Sequence, residues 1–396
     1  MSPSSATAAV SSLLDTVHQI EPLIRAYGPE AERERRLPDA VANAMRERGL
    51  YRLWRPKAFG GLEVDPMTAF QVFEEVSRID SAAGWNLMVS CSFDCLGAWF
   101  SDEGAKEIFA LSDVTLAGSF FPPRRAVPVE GGYRVTGQTP FVSGAYQAKW
   151  IIGLANIYEG DMPRLGENGA PVAILTACPA SEVVVMDTWR TLGMRGTGSH
   201  DVLTKDLFVP AQRTAVLAPY ESPGSAYHGP LYKFTVWATI AALASIATGI
   251  ARAAIDDLLN LAGRKTPAYT AKSLRDRGIV QALLGEAEAT LGGGRAFLYE
   301  ALREVWDGAL QNQIIDMPRK MKLQLAATYA VGAATKAVDL VHAAVGATGI
   351  HDEYGFQRHF RDLHTITQHA YVSASRYESV GQYFLGVPIE WPFYGL

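Results

Sequence analysis

The chain has 396 residues, 48% hydrophobic and 19% charged, a globular composition with room for two or three domains. Its net charge of −5 and pI near 5.9 give no basic field for nucleic acid. The three cysteines, Cys91, Cys95 and Cys178, lack partners at zinc-site spacing, so they are expected to be reduced core thiols of a cytoplasmic protein, with no metal.

The N-terminus, MSPSSATAAVSSLLDTV, lacks a basic region and a long apolar core. It reads as a tail entering a helix, not as a signal peptide. From Ser11 to about Leu111 the apolar period is helical. LPDAVANAMRERGL carries an N-terminal acid and a closing Gly49, and RLWRPKAFGGLEVDP is a loop. One or two long helices follow from Pro66. The grammar changes near Asp113. VTLAGSF, GGYRVTGQTPFVSG, KWIIGLANIY, PVAILTACP and DVLTKDLFVP are short, β-branched runs bounded by turn residues, the mark of a β domain. Within it, Arg124-Arg125 after two prolines reads as a solvated basic loop. After a Pro/Gly/Ser connector the helical period returns, over about 232–263, 273–308, 317–346 and 361–385, which predicts a four-helix bundle. Thr235–Ile250 is the most apolar stretch, too short to span a bilayer, so no membrane is expected. Gly292–Gly294 should weaken the second bundle helix unless something approaches closely there. The predicted division is a helical domain (1–112), a β-barrel-like domain (113–213), a connector (214–231) and a bundle (232–396), an α+β chain that is mostly α.

Near the end, RDLHTITQH places Arg361, Asp362, His364 and His369 within one short stretch. On a helix His364 and His369 would point about 140° apart, so they are no metal pair, and only one of them can look inward. Walker A, a Rossmann glycine pattern after a strand, HExxH, GxSxG and CxxC are all missing. Gly196-Thr197-Gly198 follows a strand, but no helix pattern opens from it. His200-Asp201 and His351-Asp352-Glu353 lack a third ligand at metal spacing and read as loop polarity.

The helix–β–helix order resembles the acyl-CoA dehydrogenase fold. TWRTLGMRGTGSHDVLTKDLFVP is similar to its middle-domain segment, GIARAAIDDLLNLAGRKTPAY to its first bundle helix and basic turn, and GATGIHDEYGFQRHFRD to its C-terminal glycine turn and Arg-Asp pair. In the dehydrogenases a Glu removes the α-proton. Its two family positions fall here at Ala370 and Thr239, which cannot act as that base. FVSGAYQAKW, DTWRTLGMRGTGS and the terminal His of RDLHTITQH instead resemble the two-component flavin-dependent monooxygenases of this fold. Those include oxygenase components acting on 4-hydroxyphenylacetate, dibenzothiophene and indoles.

The resemblance implies a set of roles, each with a plainer structural alternative. Ser143 would stand by flavin N5 and hold the C4a-hydroperoxide, or be a turn serine. His369 would lie over the flavin and handle its proton traffic, or be a bundle-seam His. Trp189 would pack on flavin or substrate, and Trp150 would touch the cofactor or fill the core. Arg264 would pair with flavin phosphate, often across a subunit interface, or complement a helix end. Thr197 and Ser199 would bond phosphate or a polar flavin edge, or cap a strand. Ser119, Phe93 and Phe120 would line the substrate site, or belong to the core. Several aromatic hydroxylases carry a His about two turns after a Gly-Trp like Gly84-Trp85; Phe93 stands there, which argues against a para-phenol.

The implied function is the oxygenase component of such a system. It would use reduced FMN or FAD from a separate NAD(P)H:flavin reductase, with O2, to hydroxylate a small indole-like or phenolic aromatic, as a homotetramer. The alternatives are a flavin dehydrogenase or oxidase with a displaced base, an N- or S-oxygenase of the same fold, and a non-catalytic scaffold.

Overall fold

The computed structural model describes residues 3–167, 169–216 and 224–395. Part of the expected connector, 217–223, lies outside them. Five helices come first: α1 (Pro3–Glu34), α2 (Asp39–Glu47), α3 (Pro66–Ile79), α4 (Ser81–Leu96) and α5 (Asp102–Ile108). Three of them start on a side-chain cap: Asp65 accepts from Thr68 N at 3.0 Å, Asp80 from Ala83 N at 2.9 Å and Ser101 from Gly104 N at 3.2 Å. Helix α4 is buried along nearly its whole length, as its run of apolar and small residues demands.

Eight strands follow: β1 (Leu116–Val129), β2 (Gly132–Val142), β3 (Trp150–Glu159), β4 (Met162–Pro163), β5 (Ala173–Pro179), β6 (Val184–Met186), β7 (His200–Pro210) and β8 (Thr214–Val216). Their order is β6-β7-β2-β1-β3-β5-β8, with β4 paired to β3 and β1 running parallel to β3. The expectation of a barrel is corrected in one respect: among the described residues the ladder stays open, with β6 and β8 at its edges. Residues 214–216, assigned above to the connector, form β8 and pair with β5.

Arg124-Arg125 is also corrected. Both lie inside β1, just past a register shift between Ser119 and Arg124 that absorbs Pro122 and Pro123. Arg124 is buried and donates to Thr176 Oγ1 at 2.5 Å and Thr204 Oγ1 at 3.1 Å. Arg125 faces outward and lies 4.3 Å over the Tyr158 ring.

The bundle contains α6 (Thr235–Ala262), α7 (Gly278–Leu310), α8 (Met317–Val345), α9 (Phe356–Ile366) and α10 (Ser375–Leu385). By length and composition α6 passes for a membrane span, contrary to the shorter stretch expected. Yet 89% of its most apolar window is buried, and it packs on α3, α4, α7 and α8. Gly294 is where α7 meets α8: a Cβ there would lie 2.7 Å from Ala333 Cβ, whereas Gly292 and Gly293 face open space.

The fourth expected helix, 361–385, is two helices. Thr365 and Thr367 turn their hydroxyls back onto the carbonyls of Arg361 (2.8 Å) and His364 (2.7 Å), and the chain leaves the helix after Ile366. His369 therefore stands in the turn between α9 and α10, not on a helix.

Candidate active site

Where α4, the β2 end, the loop before β7 and the turn after α9 converge, the polar side chains form one chain of contacts. Trp85, on the first turns of α4, donates its indole N–H to Ser143 Oγ at 2.9 Å. Ser143, just past β2, lies 2.6 Å from Ser199 Oγ, and Ser199 lies 2.6 Å from Thr197 Oγ1. Thr197 donates to the Met194 carbonyl at 2.8 Å, and Trp189 Nε1 donates to the same oxygen at 3.0 Å. All three hydroxyl residues are buried.

The loop carrying Met194 is held from behind by the bundle. Met194 N donates to Asp362 Oδ1 at 2.5 Å, and Ser81 Oγ to Asp362 Oδ2 at 2.5 Å. Gly193 lets the backbones meet, since a Cβ there would lie 2.2 Å from the Arg361 carbonyl oxygen. Arg358, one turn before Asp362, reaches Asp80 at 2.8 Å and Asp362 and Glu32 at 3.6 Å. Burial pushes the Asp362 carboxyl up, against the pull of Arg358. The Arg-Asp pair of the sequence is thus a brace under the loop. Arg361 adds bonds to Glu32 at 2.9 Å and to the Leu192 carbonyl at 2.7 Å.

His369 closes the circuit. Its ring stands edge-on to Trp85 at 5.7 Å and to Tyr371 at 5.1 Å. Its Nδ1 accepts from the Tyr371 backbone N–H at 3.2 Å. A backbone N–H can only donate, so Nδ1 carries no proton and the neutral ring bears its hydrogen on Nε2. Burial acts in the same sense and pulls the imidazole down to about 4, although the residue as a whole is only half-buried. His369 is thus a neutral Nε2–H donor at ordinary pH. His364 instead faces Asp339 at 2.9 Å, away from this cluster.

Two groups of aromatic side chains flank this region. Tyr371 packs on Phe393 at 5.0 Å, and Phe393 on Phe121 at 6.0 Å. The neighbouring Phe120 lies 5.8 Å from Phe93 of α4. Phe93 seats over Gly118 of β1, where a Cβ would come within 2.6 Å of its ring. Ser119 is the next residue of β1, half-buried at the edge of this wall. Asp94 gives the wall no acid, because its carboxylate turns away to Arg55 at 3.1 Å.

The structure thus brings together Ser143, Thr197, Ser199 and His369, with Trp189 behind them, and sets Phe93, Phe120 and Ser119 along one wall. Thr197 bonds Met194, Ser199 bonds Thr197, and both stand in line behind Ser143. Trp150 is engaged elsewhere: the Arg213 guanidinium lies 5.1 Å over its ring and pairs with Glu107 of α5. Arg264 is also outside the cluster. It donates to its own helix at Asn260 O (2.9 Å) and lines a separate pocket of about 490 Å³ with Asp257, Lys265, Glu353 and Tyr354. Trp85, Tyr371 and Phe393 are additions. Gly84-Trp85 served only as a landmark in the sequence, and the aromatic WPFY ending was the available signal for Phe393.

These groups fit a reduced flavin by their chemistry. A hydroxyl with an open lone pair, a neutral imidazole N–H and an aromatic surround match the N–H and carbonyl edge of an isoalloxazine. Neither position that would carry a dehydrogenase base supplies a carboxylate; Ala370 is exposed and Thr239 lies on α6.

Comparison with known proteins gives the same direction. Residues 9–107 match the model of the acyl-CoA dehydrogenase N-terminal domain, and residues 241–374 that of the C-terminal domain. The chain is 33% identical over 388 residues to the indole-3-acetate monooxygenase of Pseudomonas putida, covering 97% of this chain and 96% of that protein. It is 25% identical to the flavin-dependent monooxygenase oxygenase subunit HsaA of Rhodococcus jostii, covering 93% and 97%. Among solved structures, XiaF from Streptomyces sp. in complex with FADH2 and glycerol superposes with a TM-score of 0.90, at 27% identity and with 98% of each chain covered.

Proposed function

From the premise that this chain belongs to the flavin-dependent monooxygenases built on the acyl-CoA dehydrogenase fold, we propose that it is the oxygenase component of a two-component system. Its substrate is a small aromatic or heteroaromatic molecule of the indole type. A separate NAD(P)H:flavin reductase supplies reduced FMN or FAD, and the working unit is a homotetramer.

The observation that carries this reading is the placement of Ser143 and His369 on two sides of the Trp85 indole, with no carboxylate at either dehydrogenase position. When bound, reduced flavin would supply the two electrons with which O2 places one oxygen atom on the substrate and releases the other as water. The residues of this chain do the rest. Ser143 presents a hydroxyl oxygen to the flavin edge. His369 offers its Nε2–H as a fixed, uncharged donor. Trp85, Phe93, Phe120, Tyr371 and Phe393 keep water from the reacting centre and hold a flat apolar substrate. Phe93 and the diverted Asp94 provide no base for a phenol, which favours an electron-rich ring that needs no deprotonation, such as an indole. Arg264 is assigned to the flavin phosphate of a neighbouring subunit, since in its own chain it lies outside the Ser143 cluster.

The test supplies NADH, a generic flavin reductase, FAD or FMN and O2, and screens indoles, fused aromatics and small phenols by mass spectrometry. A gain of one oxygen on an indole, lost in Ser143→Ala and His369→Ala, is expected. Substrate-driven reduction of bound oxidised flavin without O2 would overturn the reading in favour of a dehydrogenase.

A further inference from the structure

The hydroxyl chain behind Ser143 has only one consistent direction. Each hydroxyl owns one proton. The Met194 carbonyl can only accept, so the Thr197 proton is committed to it at 2.8 Å. The contact between Thr197 and Ser199 then requires the Ser199 proton. The contact between Ser199 and Ser143 in turn requires the Ser143 proton. The Trp85 N–H donates to Ser143 from the other side and takes one of its two lone pairs. One acceptor position on Ser143 is left, and no donor.

We propose that Thr197 and Ser199 are positioning residues that fix the polarity of Ser143, making it an obligate acceptor that selects the reduced flavin over the oxidised one. Reduced flavin carries an N–H at N5 and offers the donor that Ser143 lacks. Oxidised flavin presents a bare nitrogen lone pair there, which would face the Ser143 lone pair without a proton between them. The selection originates at Met194, whose carbonyl is held in place because its own N–H is bonded to Asp362. This inference rests on the assignment of Ser143 to the flavin edge.

The test measures binding rather than turnover. FAD and photoreduced FAD are titrated anaerobically into wild-type protein, Thr197→Val, Thr197→Ser and Ser143→Ala, with the fold of each checked by circular dichroism and thermal melting. Wild type is expected to bind the reduced form more tightly. Thr197→Val keeps the shape but removes the acceptor for the Ser199 proton, so Ser199 can donate to Ser143 and free the Ser143 proton. The ratio of oxidised to reduced dissociation constants should then fall by about fivefold, the worth of one hydrogen bond. Thr197→Ser restores the hydroxyl and should restore the ratio. A folded Thr197→Val with an unchanged ratio, or with both affinities lowered equally, would overturn the proposal while leaving the flavin site standing. If Ser143→Ala changes neither affinity, the assignment of Ser143 to the flavin fails, and the proposal with it.

Discussion

At the scale of single residues, His369 is the group whose state the structure defines most closely. Its Nδ1 is occupied by the Tyr371 amide and burial holds its pKa near 4, against 6.5 for a free imidazole. As pH falls, the unfolded chain therefore takes up this proton before the folded one. The stability tied to neutral His369 is complete above 6.5 and is lost progressively as pH drops toward 4. His369→Asn removes the titration. The difference in unfolding free energy between wild type and His369→Asn, from urea titrations at pH 7.5, 6.0 and 5.0, should shift against wild type at the acid end. Curves that stay parallel would show a solvated ring. The sequence pointed to this residue, but not to its tautomer. That follows from the turn after Ile366, which brings the Tyr371 amide back onto the ring.

At the scale of elements, the helices were legible wherever the apolar spacing ran long, as in α6, α7 and α8, of which only α8 starts on a side-chain cap, Asp316. The misreadings share a cause: side chains that bond to nearby backbone, or strand irregularities, defeat periodicity. Thr365 and Thr367 end α9 inside a helical-looking run, and Pro122-Pro123, which signal a loop, sit in the irregular part of β1. A second contact unreadable from sequence is the ion pair of Arg55 and Asp94. Both are fully buried at 3.1 Å, and Arg55 also bonds the carbonyls of Ser112 (3.0 Å) and Val114 (2.6 Å), tying α4 to the entry of β1. Burial raises the Asp94 carboxyl to about 7 despite Arg55, and its Oδ1 has no hydrogen-bond partner among the described residues. Arg55→Met leaves that acid and two carbonyls unpaired. It should cost roughly 3–5 kcal/mol, read as a lower urea midpoint; a loss below about 1 kcal/mol, the range of an exposed pair, would show that water reaches this contact.

At the scale of the whole molecule, the site was legible as letters but not as a shape. The FVSG, TGS and QH segments identified Ser143, Thr197, Ser199 and His369 through resemblance. That they lie in a single chain of contacts depends on long-range packing that no local pattern encodes. Trp150 and Arg264 are also candidates in sequence, and the fold sends one under Arg213 and the other to a separate pocket. The contacts form a closed mechanical loop: Trp85, Ser143, Ser199, Thr197, Met194, Asp362, then along α9 to His369 and back to Trp85. Every joint is covalent or hydrogen-bonded except the last, where two rings merely touch. A closed linkage yields first at its weakest joint, so the 367–374 turn is expected to part from Trp85 before the serine side moves. Amide exchange should record this as early exchange at Tyr371 and late exchange at Met194. The reverse order would place the weakest joint on the β domain instead.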